Sequence, residues 1–386
     1  MSTKNTTNLG IEQDDILVRI MLELVRAAIL ERDPAIPIDY NVDWDRLMDL
    51  SKNQGLIAWV WDGICRLPIE MQPPRLYRIN WGMSAQEIWD RYEQQKKVLS
   101  EMVEICNYNN MRLLLMKGIG LSELYPKPES RPSGDLDIYL FNDYEKGNNL
   151  FGNGVNYFYN KHASYDYHGV HIENHVTPLD TDTKFEREIG SYLQSEMGNI
   201  SLSTEGFYVF SPIANLVYLV THSLHHFNPN QAVPLRNILD VIWFTWTYRE
   251  KLSPSHCYQV MSKLGLDSTF ELFLIMGEMV LGINMPEYHI GKVKQKHIDD
   301  IRNYILKSGS KLFVSDELST GKQLQLLYQN YRQVKCIYYY LPSKNDNLLI
   351  FTFRHCIAVP LKCIFKIPKD MPFVEGLKNK YLHSVK

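Results

Sequence analysis

The chain has 386 residues, 45% of them hydrophobic and 12% aromatic, with a formal net charge of −3. Bulk disorder is excluded, because it needs low hydrophobicity and high net charge, and the near-neutral balance argues against a dedicated nucleic-acid binder, whose footprint is basic. The charge is uneven: from residue 287 onward 17 Lys+Arg stand against 8 Asp+Glu, while the first 286 residues hold 24 against 36, so the basic last hundred residues form a candidate contact for a polyanion.

In chain order, Met1 to Thr7 is polar with no apolar h-region, which predicts no secretory signal and a cytoplasmic protein. Ile16, Leu17, Ile20, Met21 and Leu24 recur at helical spacing behind Asp14-Asp15. A second helix starts at Trp44, and a longer one covers Ile88 to Cys106, so residues 1–106 form an N-terminal helical region. The period then changes. Arg112 to Met116 is a short apolar strand ending at Lys117-Gly118, a helix-like segment follows through Tyr125, and Leu136, Ile138 and Leu140 alternate as a second strand. Val155 to Tyr159 reads as a third strand, and Ser164 to His175 as a hairpin turning at His168-Gly169. Residues 107–205 therefore form an α/β core.

The helical period returns at Ser211-Pro212, giving a C-terminal helical domain over 206–341, with Asp267-Ser268-Thr269 as one helix start, and a basic tail over 342–386. The longest apolar stretch, Leu348 to Ile367, is interrupted by Arg354, His355, Pro360, Lys362 and Lys366. It therefore fails as a membrane span, which needs about 20 mainly apolar residues, and reads as a packed terminal element. Six scattered cysteines without a Cys-x-x-Cys pair predict buried free thiols. The expected class is α+β, a mixed sheet between two helical regions.

The chemistry concentrates between Lys117 and Asp137. Asp135 and Asp137 leave the same strand face, with Cα atoms about 6.6 Å apart. An isolated Asp-x-Asp on a strand is ordinarily a solvated face. Here Gly118 ends a strand and opens a helix, where backbone N–H groups favour a phosphate, Lys117 supplies a point charge, and Arg131 and Ser133 precede the first aspartate. Two close carboxylates repel each other unless a cation lies between them. Magnesium suits that role, since it binds through one or two carboxylates together with substrate phosphates.

These segments resemble the nucleotidyltransferases of the DNA polymerase β type, which carry a glycine at a strand-to-helix turn, then Asp-h-Asp, then a third carboxylate on a later strand. Leu115-Met-Lys-Gly-Ile-Gly-Leu-Ser-Glu-Leu-Tyr125 and Arg131-Pro-Ser-Gly-Asp-Leu-Asp-Ile138 are similar to the uncharacterised bacterial nucleotidyltransferase family. So are Val42-Asp-Trp-Asp-Arg-Leu47, Gly169-Val-His-Ile-Glu-Asn-His175 and Leu281-Gly-Ile-Asn-Met-Pro286, so the similarity spans about residues 13–290. The resemblance implies a nucleotidyltransferase-type core that moves a nucleoside monophosphate from a nucleoside triphosphate to a hydroxyl of an undefined acceptor, releasing pyrophosphate, with Mg2+ (or Mn2+) as cofactor. It makes Asp135, Asp137 and Glu173 metal ligands, Glu173 being either a further ligand or the base, and it gives Lys117, Gly118, Arg131 and Ser133 to the nucleotide. The turn departs from the superfamily pattern at Ile119, with Ser122 as a substitute phosphate contact.

Several residues keep alternatives open. His175 shares the strand face of Glu173 and either orients it, contacts phosphate, or is a satisfied buried histidine. His222 and His226 lie one helical turn apart, as do Arg236 and Asp240; with Asp240 pairing Arg236 or a histidine, this set reads as a cleft wall. Arg131-x-Ser133-x-Asp135-x-Asp137 is also similar to abortive-infection toxin nucleotidyltransferases, which gives a toxin-like enzyme on RNA as one alternative and a non-catalytic nucleotide sensor or scaffold as another. Gly147 to Gly154 has phosphate-loop-like glycines but lacks Lys-Ser/Thr and reads as a turn.

Overall fold

In a computed structural model, residues 3–36, 41–152, 154–158, 162–179, 184–225 and 233–291, with 293 and 298, are described. All of them fall in one compact unit. The expected basic tail, the apolar stretch 348–367 and the end of the C-terminal helical region lie outside the described residues.

The N-terminal helices are α1 (Thr3–Ile29), α2 (Trp44–Asn53), α3 (Ile57–Cys65) and α4 (Arg75–Tyr108). Asp43 caps α2, its side chain accepting from the Arg46 backbone N–H at 3.1 Å. Helix α4 starts directly after Pro74, where a missing N–H costs nothing, and ends at Asn109-Asn110, with Asn110 at φ 55°. It is thus about twice the length expected from periodicity. Helix α3 carries no periodicity signal, because Ile57, Ala58, Trp59, Val60 and Ile64 are buried on nearly every side.

The α/β core continues with β1 (Leu114–Leu115), α5 (Ile119–Ser122), β2 (Leu136–Tyr139), α6 (Tyr144–Phe151), β3 (Asn156–Phe158), β4 (His162–Tyr167), β5 (Val170–His175), α7 (Lys184–Ser195), β6 (Ser201–Leu202) and β7 (Tyr208–Val209). The helices α8 (Pro212–His225), α9 (Leu235–Thr247), α10 (Pro254–Lys263) and α11 (Asp267–Leu281) close the described chain. The fold is α+β, with the sheet between helical regions as expected. Among the described residues no helix is long and apolar enough to cross a membrane.

The strands form one mixed sheet in the order β3-β4-β5-β2-β1-β7-β6. β2 runs parallel to β5 and antiparallel to β1. The β4–β5 hairpin turns at His168 and Gly169, both at positive φ (49° and 77°), the conformation a two-residue type I′ turn requires. The pleat sends alternate residues to opposite faces. Leu136, Ile138, Val170 and Ile172 face the core, where they meet Val98, Leu99, Met102 and Val103 of α4. Each such side chain contributes roughly 1.5–3 kcal/mol through burial. The intervening positions, Asp137, Glu173 and His175, are left on the other face. Gly147, expected in a turn, lies inside α6 with Leu140 packed where a Cβ would stand. Cys65, Cys106 and Cys257 are free as expected, although Cys65 is exposed; the other three cysteines lie outside the described residues.

Candidate active site

The parallel register of β2 on β5 sets Asp137 directly opposite Glu173 and Tyr139 opposite His175. Asp135 immediately precedes β2 and shares the face of Asp137. One carboxylate oxygen from each of Asp135, Asp137 and Glu173 lies within 4.8 Å of the others. Lys117, at the end of β1, reaches over this group: its ammonium is 3.1 Å from Asp137 Oδ2 and 3.9 Å from Asp135 Oδ2. His175 Nε2 is 3.1 Å from Asp137 Oδ1 and 3.7 Å from Glu173 Oε2. His222, on α8, stands 3.3 Å from the Lys117 ammonium and stacks on Tyr218.

Three carboxylates against one ammonium leave a formal deficit of two positive charges. The protonation equilibria carry the same message. Burial raises the Asp135 and Glu173 carboxyls above their ordinary values, and repulsion from Asp137 adds to it. Asp137 is only 1% exposed. Burial would raise it too, but the Lys117 ammonium and His175 outweigh that effect and hold it below the usual carboxylate range. For Lys117, burial disfavours the charge, yet Asp137 and Asp135 outweigh it and keep the amine protonated. Asp137 Oδ2 is buried and meets the Lys117 ammonium at 3.1 Å. An all-oxygen donor set with a formal deficit of two charges fits a hard divalent cation such as Mg2+ or Mn2+.

Beside the carboxylates is a cavity holding about 400 Å3 of empty space, opening to solvent, with Lys117, Gly118, Ser133, Asp135 and Arg236 on its wall. Gly118 forms the corner at φ 69°, ψ −125°, a conformation that L side chains rarely adopt. A Cβ there would come within 2.9 Å of Ser133 Oγ. The expected helix behind it is a single turn, Ile119–Ser122, too short for a substantial dipole; the corner offers backbone geometry instead.

Two expectations are corrected by these contacts, and a third is qualified. Arg131, expected at the nucleotide, does border the cavity, but it is 5% exposed and three of its N–H groups are engaged in the frame. Its Nε and Nη2 donate to Asp240 Oδ1 and Oδ2 at 2.8 and 2.7 Å, and Nη1 donates to the Gly118 carbonyl at 2.9 Å. Asp240 accordingly pairs with Arg131, not with Arg236 or a histidine, and also accepts from the Tyr125 hydroxyl at 3.0 Å. The fork geometry explains the choice: two parallel charge-assisted bonds hold one guanidinium to one carboxylate. Ser122 is fully buried, its hydroxyl without a partner, and is not on the cavity wall.

Arg236 is thereby released. It donates to the Pro132 carbonyl at 3.1 Å, and among the described residues it makes no ion pair. Burial, reinforced by the nearby Arg131 charge, lowers its pKa from the ordinary value, although a guanidinium stays protonated. Ser133 Oγ donates to the Asp135 carbonyl at 3.1 Å. His226 lies outside the described residues.

The sequence reading missed His162. Counting the hairpin outward from His168-Gly169 pairs His162 with His175, so the signal was present in the turn position. It also missed Tyr125 as a partner of Asp240, for which no local signal exists.

Residues 40–282 match a family model described as an uncharacterised nucleotidyltransferase. No curated protein and no solved structure matches the chain.

Proposed function

The chain belongs to the uncharacterised nucleotidyltransferase family, and from that membership we propose that it transfers a nucleoside monophosphate from a nucleoside triphosphate to an acceptor hydroxyl. The acceptor hydroxyl gives its proton to a carboxylate, Glu173 in this reading, as its oxygen bonds to the α-phosphorus; the α–β phosphoanhydride bond breaks, and pyrophosphate leaves with the electron pair. A bound Mg2+ (or Mn2+) would supply charge neutralisation at the carboxylates and the phosphates. Asp135 and Asp137 hold that cation in this reading, and Glu173 completes the set. Lys117 and Arg236 bind the triphosphate, with Gly118 allowing its close approach and Ser133 lining the corner. His175 orients Asp137, and His222 steadies the Lys117 ammonium. Positioning and fixed charge supply most of the acceleration in such a site.

The observation that carries the reading is the convergence of three carboxylates within 4.8 Å beside a cavity with Lys117, Arg236 and the Asp240-paired Arg131 on its wall. The positive balance of the last hundred residues is the feature favouring a polyanion such as RNA as acceptor. The test is incubation of the full chain with cell extract, magnesium and each α-labelled nucleoside triphosphate. Label should pass to an acceptor, with pyrophosphate released, and should be lost in Asp135→Asn. Absence of transfer from all four triphosphates, or transfer indifferent to Asp135→Asn, overturns the proposal.

The 3.1 Å approach of the Lys117 ammonium to Asp137 favours one second reading, a metal-independent nucleotide sensor or scaffold. Thermal shift separates the two: triphosphate binding that ignores magnesium and survives Asp135→Asn supports the sensor.

A further inference from the structure

Overlapping the carboxylate trio at Glu173, on the same sheet face, lies a second donor group of different chemistry. β4 and β5 are antiparallel with His162 directly opposite His175 and Ser164 opposite Glu173. Residues directly opposite on paired strands project to the same face. Glu173 and His175, two apart on β5, therefore stand beside His162, and one donor atom from each of the three lies within 4.8 Å of the others. The Glu173 carboxylate is turned between the rings: Oε1 is 3.8 Å from His162 Nε2 and Oε2 is 3.7 Å from His175 Nε2. The ring centroids are 5.3 Å apart.

A tetrahedral ion bound at about 2.0–2.1 Å would hold its ligand atoms about 3.4 Å apart. The two carboxylate–imidazole separations, each to its own oxygen, exceed that by a few tenths of an ångström, and the ligand atoms of the two rings lie within 4.8 Å, a gap that side-chain adjustment on two hydrogen-bonded strands can close. The ligand atom of His175 is Nε2, which faces Glu173 and also meets Asp137 Oδ1 at 3.1 Å, so an ion held there competes with the Asp137 contact.

The geometry points to a second cation site formed by His162, Glu173 and His175, taking a borderline divalent ion of the zinc type. Two imidazoles and one carboxylate suit zinc, cobalt or nickel, whereas the neighbouring all-oxygen set suits magnesium or manganese. Glu173 belongs to both groups, so the two sites are coupled: an ion on the histidines draws Glu173 away from Asp135 and Asp137. Zinc is accordingly expected to weaken magnesium binding at the trio. The site stands on the β4–β5 hairpin and does not require that nucleotidyl transfer occur.

The test is titration of the metal-free full chain with Zn2+ by calorimetry, and with Co2+ followed by visible absorption, without nucleotide. The wild type should bind one ion with the intense absorption of imidazole-ligated, low-coordinate cobalt. Second-shell changes alone weaken metal sites by about 10- to 100-fold. Removing a ligand in His162→Asn is therefore expected to weaken zinc at least about a hundredfold and abolish the cobalt band. Asp135→Asn should retain both. Circular dichroism on each variant, with His162→Gln as a second replacement, separates lost binding from lost fold. Zinc affinity unchanged in folded His162→Asn and His162→Gln, equal loss in Asp135→Asn, or no binding by the wild type overturns the inference and leaves the imidazoles as plain holders of Glu173. Zinc binding intact with no nucleotidyl transfer leaves it standing and overturns the proposed activity instead.

Discussion

Two clusters of buried charge meet at the Gly118 corner, and they are built on opposite plans. On one side Arg131 and Asp240 balance, one cation to one anion, with both carboxylate oxygens accepting and Tyr125 and the Gly118 carbonyl completing the set. On the other, Asp135, Asp137 and Glu173 share one close ammonium, Lys117, with His175 beside Asp137 and Glu173, and the anions outnumber the fixed cations. The balanced cluster borders the cavity with its charges already paired, and it fixes α9 against the corner. The unbalanced one costs stability as it stands and is relieved by whatever cation or phosphate-bound cation arrives. Arginine at 131 therefore reads as a frame residue, and arginine at 236, without a carboxylate partner, as the one available to substrate.

The sharpest way to break this contrast is to neutralise one member of each cluster. Asp137→Asn should lower nucleotidyl transfer by about a thousandfold or more, the scale on which single electrostatic contacts act in transition states, as read by labelled-phosphate incorporation. Its fold should survive. Asp240→Ala strands a buried guanidinium and should cost about 3–5 kcal/mol, or roughly 10 °C in melting temperature. A calorimetric loss under 1 kcal/mol would remove the frame role.

Arg236→Gln should raise the KM for triphosphate by about 10- to 100-fold, equivalent to one charge-assisted contact, with a much smaller change in melting temperature than Asp240→Ala. Equal damage to both quantities would place Arg236 in the frame after all. The smallest effect has the opposite sign. Asp135 and Glu173 are held above their ordinary pKa values by burial and by Asp137, so their contribution to stability is present at low pH and is lost as the pH rises through the folded values. Asp135→Asn should therefore melt about 1–3 °C above the wild type in metal-free buffer near neutrality. That gap should close as the pH falls below 3.8, the ordinary aspartate value, and should narrow in saturating magnesium. Asp137 has a lowered folded pKa, so its contribution is present at neutrality and is lost as the pH falls toward that value. A gap that ignores both pH and magnesium would mean that the trio is not under electrostatic load.

Much of the site could be read from the chain itself. Asp135 and Asp137 were legible because a strand alternates; Glu173 came from the family resemblance, with His175 placed on its face by the same alternation, and the positive-φ turn at His168-Gly169 sets the hairpin register. His162 was legible by the same count. Ser122 misled, since its helix is one turn long and faces inward. Helix α3 was silent because a segment buried all round has no amphipathic period.

Local rules determined the strands of the core, the shared face of Asp135 and Asp137, and the glycine corner, because alternation and turn chemistry depend on neighbours within a few residues. Only the packed fold decided which charge meets which. Arg131 and Asp240 are 109 residues apart and Lys117 and His222 are 105 apart, and either arginine could have claimed Asp240. Coulomb attraction is indifferent between such partners at the level of sequence. The seating of α8 and α9 over the sheet face brings one fork into register and leaves the other cation facing the cavity.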